Sequence, residues 1–190
     1  MATITMNEYK EKTKRNRLGL WLFLISDSFV FAGLLISRFT LLGNTRPELN
    51  QNLGLFVTGV LLLSSFYMNR AEIEMTAGNV QAFLKNAGVT IVLGAAFLAG
   101  VVFVEWPQAG EHLSLGEPAG AIFFIMTGFH AFHVLTGLLY LFIVYRNAQR
   151  GVYTKDRHWG VEACAIYWHF IDVAWIFFYP ALYLMGTLAG

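Results

Sequence analysis

The chain has 190 residues, of which 56% are hydrophobic and only 13% charged, with a formal net charge of +1. Soluble domains carry roughly 25% charged residues, so a water-soluble fold is excluded by the amount of apolar surface it would have to hide. The near-zero net charge offers no bulk attraction to nucleic acid. Cys164, the one cysteine, rules out a disulfide framework or a cysteine metal site.

Five long apolar runs follow one another, each near the ~20 residues that a helix needs to cross a ~30 Å hydrocarbon core. A polar tail reaches Arg17 and carries Lys10, Lys12, Lys14, Arg15 and Arg17. It resembles a signal-peptide n-region, but the run behind it is too long for an h-region and no small-residue cleavage site follows, so it is read as a retained first span. Spans are expected at about 18–42, 53–68, 87–104, 119–145 and 161–188, forming one transmembrane domain over 18–190. Breaks are expected around Pro47, Pro107 and Pro118. The fold class is an all-α integral membrane bundle, because backbone groups in lipid must be satisfied within a segment and the runs lack the alternation of barrel strands. The stretch 70–86 is either a continuation of the second and third helices or a surface amphipathic segment.

Short cytoplasmic loops accumulate lysine and arginine. With the N-terminus inside and the C-terminus outside, eleven of the thirteen cations fall on the inner side, leaving Arg38 and Arg46 toward the other. The segment from Glu105 to Pro118 has glutamates and no cation.

Ionisable residues inside a span are costly and raise a functional question. They are Asp27 in the first helix, His130 and His133 in the fourth, and Glu162, His169 and Asp172 in the fifth, with Glu105 near the outer end of the third. At 1.5 Å per residue, Asp27, His130, His133, His169 and Asp172 lie roughly 9 to 17 Å from the cytoplasmic face, in one slab. The three-residue spacing of His130/His133 and of His169/Asp172 puts each pair on one helix face. Glu162, seven before His169, shares its stripe nearer the cytoplasmic surface. Two readings stay open: interhelical hydrogen bonds that fix the helices, and proton handling by carboxylates beside histidines. Asp27 is expected within hydrogen-bonding reach of His130 or His133. His169 and Asp172 are expected to face the interior or another subunit. Trp168 and Trp175 serve either as lipid or subunit contacts or as packing. A bis-histidine haem or a histidine–Asp172 metal site is formally possible, but the spacing is not specific.

Three segments carry a resemblance. Leu18 to Phe31 reads LGLWLFLISDSFVF, Thr127 to Gly137 reads TGFHAFHVLTG, and His158 to Tyr179 reads HWGVEACAIYWHFIDVAWIFFY. Together with Glu105–Trp106 they resemble, in order and spacing, the cytochrome c oxidase subunit III family, in its five-helix bacterial form. Mitochondrial-type members usually have glutamate at the position of Asp27; the shorter aspartate is expected in quinol-oxidase relatives and some bacterial members. The resemblance implies an accessory subunit of a proton-pumping haem-copper terminal oxidase, holding no redox centre and no metal itself. It also implies a place beside subunits I and II, with haem and copper in subunit I, structural phospholipid bound to the chain, and a bacterial cytoplasmic membrane. Its role would be to support proton uptake and to protect the catalytic subunit during turnover. The competing readings are a free-standing proton-coupled carrier and a small b-type cytochrome. Five spans that do not divide into an inverted repeat count against the carrier.

Overall fold

A computed structural model describes residues 5–188 and contains five helices long and apolar enough to cross a membrane. The first, α1, spans Met6–Leu42. Thr5 and Glu8 form a reciprocal capping box that satisfies orphan N–H groups at its start. The expected polar tail is therefore helical from Met6. At ~1.5 Å per residue the 37-residue helix is about 55 Å long and overshoots the hydrocarbon core.

The second helix, α2, spans Gln51–Ala77, and the third, α3, spans Val80–Gly100. Residues 70–86 thus continue both helices. They are joined by a tight turn in which Gly78 takes φ +85° and donates to the carbonyls of Glu74 and Met75. The Asn79 side chain then caps α3 by accepting from the Ala82 N–H at 3.2 Å. Ala71 and Met75 of α2 and Phe83 of α3 are buried, so packing rather than polarity decides the extension.

Beyond α3 a π-helical turn, Val101–Glu105, leads into the short α4, Trp106–Gly110. Pro107 sits inside this helix instead of in a loop. Pro118 opens α5, Pro118–Gln149, where its missing N–H has no helical partner to lose. The last span consists of α6, Trp159–Tyr179, and a second π turn, Pro180–Leu184. It ends short of 188 because Thr187–Leu188 (β2) pairs in parallel with Thr45–Arg46 (β1).

Burial is uneven. About half of the apolar window is buried in α5 and α6 (50% and 56%), against 11% in α1. The bundle is therefore centred on α5 and α6, with α2 and α3 packed beside them and α1 on the rim. Gly94 and Gly137 admit the Trp168 ring, where an added Cβ would stand 2.6 Å and 3.1 Å from its carbons.

Buried Arg38 secures one end of α1. It donates to the carbonyls of Ala181 (2.6 Å), Gly43 (3.1 Å), Thr45 (2.9 Å) and Met185 (2.7 Å). These bonds tie the end of α1 to the turn that closes the last span and supply donors for carbonyls that a helix end leaves orphaned.

Candidate functional site: polar side chains within the spans

The polar side chains expected in one slab occupy several distinct environments. Asp27 of α1 meets His133 of α5, with Oδ2 and Nε2 3.1 Å apart. The contact is at ion-pair distance, although Oδ2 makes no well-aligned hydrogen bond. The other ring nitrogen of His133 lies 2.7 Å from the Phe129 carbonyl. A carbonyl only accepts, so Nδ1 carries a hydrogen and donates it. Nε2 is therefore the nitrogen that faces the Asp27 carboxyl group. Phe31, Phe129 and Phe132 surround the imidazole, with ring centroids 5.0, 4.5 and 5.7 Å away.

His130, one turn earlier, faces a different part of the bundle. It is fully buried among Phe97, Trp175 and Phe178, and neither ring nitrogen has a hydrogen-bond partner. Its rotation away from Asp27 follows from the ~100° per residue of a helix, which separates positions three apart by about 60°.

His169 of α6 reaches α2, where Ser65 Oγ lies 2.7 Å from its Nδ1. Asp172 is buried on the same face and also interacts with Ser65, while its Oδ1 remains unpartnered. Ser65 is a partner that the sequence reading missed. The only signal was a Ser64–Ser65 pair inside an apolar run. Glu162 lies at the helix start and pairs with Arg17 of α1 at 2.5 Å. Arg17 also stacks over the Trp159 ring at 5.6 Å.

Of the two readings of Trp168 and Trp175, lipid or subunit contact and packing, their burial matches packing. Both are essentially fully buried. Their Nε1 groups donate to Ser64 Oγ at 3.1 Å and Thr58 Oγ1 at 2.9 Å, joining α6 to α2. A seven-residue step along α6 answered by a six-residue step back along α2 is what antiparallel helices produce. Glu105 stands apart from all of these, buried where α3 passes into α4, with both carboxylate oxygens unpartnered.

Between α1 and α6 runs an apolar groove made of three cavities of about 360, 370 and 380 Å³. They share Ser28, Phe170 and Val173, then Ala32, Leu35 and Phe177, so they follow one another along the helices. His169 lines one of these cavities. Among the described residues no group of three His, Cys, Asp or Glu side chains converges as a metal site would require.

The sequence matches the family described as Cytochrome c oxidase subunit III over residues 2–187. The chain belongs to the cytochrome c oxidase subunit III family. Among its relatives is the cytochrome c oxidase subunit 3 of Thermostichus vulcanus, 37% identical over 88% of this chain and 86% of the relative. That of Synechocystis sp. is 35% identical over 88% and 74%, and that of Dugong dugon 33% identical over 90% and 70%. As a subunit III, the chain is a multi-pass membrane protein and an accessory subunit of a haem-copper terminal oxidase, in complex with the catalytic subunits. The carrier and b-type cytochrome readings gain no support from these matches.

Proposed function

We infer that this subunit III packs beside subunits I and II of a bacterial oxidase in the cytoplasmic membrane, where it supports proton uptake and keeps the catalytic subunit stable during turnover. The N-terminus lies on the cytoplasmic side, which places the tail cations and Arg70, Lys85, Arg146, Arg150, Lys155 and Arg157 there as well. Haem and copper belong to subunit I, and cytochrome c is the electron donor, as in the relatives' names.

One observation carries the proton role. Asp27 Oδ2 and His133 Nε2 stand 3.1 Å apart between two helices, inside a sleeve of aromatic rings. A carboxyl and an imidazole in direct contact can pass a proton with little rearrangement. Asp172 and His169 meet the same Ser65 hydroxyl between α2 and α6, so a second carboxyl and imidazole are linked through one side chain. The remaining candidates, His130, Glu105 and Glu162, serve packing, an end cavity and an ion pair.

The α1/α6 groove is apolar over three successive cavities. Acyl chains of a structural phospholipid fill it, compensating for the little burial that α1 obtains within the chain.

The test is an oxidase purified with and without this chain. Without it, haem content and initial oxygen consumption are retained, while activity decays over successive turnovers or proton uptake slows. A complex that fails to incorporate haem when the chain is missing contradicts the accessory role.

A further inference from the structure

At the end of the bundle where α2 begins and α4 ends, a cavity of about 520 Å³ lies between Glu48–Leu53 and Glu105–His112. Glu48, Glu111 and His112 are exposed at its rim. Glu105 forms part of its wall, is only 4% exposed, and neither carboxylate oxygen has a hydrogen-bond partner. The two sides are bridged by Asn50, whose Nδ2 donates to Gln108 Oε1 at 3.4 Å. No lysine or arginine lines the cavity among the described residues. Trp106, half-buried and donating from Nε1 to Thr127 Oγ1 at 3.1 Å, sits next to Glu105. A tryptophan at a span end marks the headgroup level of the bilayer.

A buried carboxylate without a donor is an uncompensated group, and native proteins rarely leave one so. Since the wall supplies acceptors and negative charge, the missing complement is a cation that brings its own N–H donors. A metal ion does not match, because no three acidic or imidazole ligands converge among the described residues. A quaternary ammonium has charge but no donor. A primary ammonium has three donors on a small head and forms the short charge-assisted bonds that a recessed carboxylate needs.

We propose that this cavity binds a primary ammonium group, with Glu105 as its counter-ion and Glu48 and Glu111 drawing it in at the rim. The ammonium comes from an aminophospholipid headgroup or from a free diamine.

The test uses the purified oxidase complex containing the full chain. In lipid-depleted detergent it is titrated with 1,4-diaminobutane and, in parallel, with tetramethylammonium, while thermal unfolding is followed. In nanodiscs of phosphatidylethanolamine or phosphatidylcholine, bound lipid is counted by native mass spectrometry. Stabilisation by the diamine in detergent identifies a free amine. Selective retention of phosphatidylethanolamine without a diamine response identifies the lipid headgroup. In either case Glu105→Gln, which keeps the size and removes the charge, should lose at least tenfold in affinity or retention. The double variant Glu48→Gln/Glu111→Gln should lose several-fold, and it carries the test if Glu105→Gln does not assemble. Tetramethylammonium acting as strongly as the diamine, no selectivity with either amine source, or unchanged binding by the tested variant would overturn the proposal.

Discussion

The His133 ring faces two acceptors at once: its Nδ1 is 2.7 Å from the Phe129 carbonyl, and its Nε2 is 3.1 Å from Asp27 Oδ2. The carbonyl one turn earlier on α5 fixes which nitrogen donates at home. The nitrogen turned toward α1 is thereby left facing a carboxyl group on another helix. The pair links the least buried helix of the bundle to one of its central ones.

The second polar set rests on Ser65, whose hydroxyl lies 2.7 Å from His169 Nδ1. Ser65→Ala should leave both the His169 imidazole and the Asp172 carboxyl without this partner on α2 and cost about 1–3 kcal/mol, the usual cost of leaving buried polar groups unsatisfied. Thermal unfolding in detergent reads this as a small fall in midpoint. An unchanged midpoint would mean that His169 finds another partner in the groove.

Arg38 should matter far more than its single position suggests. Arg38→Met removes every donor that now reaches the carbonyls of Ala181, Gly43, Thr45 and Met185. The expected loss is about 3 kcal/mol, at the upper end of the usual range for single substitutions. It should be localised: limited proteolysis would open the segment after Pro180 while α2 and α3 stay protected. Equal protection throughout would show that the π turn holds without the arginine.

The Trp168 ring rests against Gly94 and Gly137, and no side chain fits at either glycine without moving it. Gly94→Val should destabilise by about 1–3 kcal/mol through overpacking. An unchanged midpoint in a thermal melt would show that the Trp168 ring moves aside at no cost.

In contrast, the Arg17–Glu162 pair should contribute little to stability. Arg17 is half exposed, and an ion pair of that kind contributes no more than about 1 kcal/mol. Glu162→Gln should therefore leave the melting midpoint almost unchanged while speeding amide exchange in residues 6–17. An unchanged exchange rate would assign the docking of that segment to the Tyr9 hydroxyl, which accepts from the Trp159 N–H at 3.1 Å.

Five spans and their helical nature were legible from apolar run length alone, because lipid leaves the backbone few options. Helix ends were not. The continuation of α2 to Ala77 depends on Ala71 and Met75 meeting Phe83, and the early end of α6 depends on Pro180 and on pairing with Thr45–Arg46. Depth along an axis brought Asp27, His130 and His133 to one level, but it carries no information on rotation. Only the packed bundle shows that His133 turns to Asp27 while His130 is enclosed by Phe97 and Trp175. The tryptophans were legible as interior or surface but not as one of the two, since their acceptors Thr58 and Ser64 lie more than a hundred residues away in sequence.

The most direct test of the proton role is Asp27→Asn in the purified oxidase reconstituted into vesicles, with oxygen consumption and proton uptake recorded together and subunit content checked on a gel. Asparagine keeps the approximate size and hydrogen-bonding capacity of the acid but removes the ionisable group. Normal assembly and initial oxygen consumption with depressed proton uptake or pumping is the predicted result. Proton uptake and pumping equal to wild type, with the subunit present, would contradict it and reduce the Asp27–His133 pair to a packing contact.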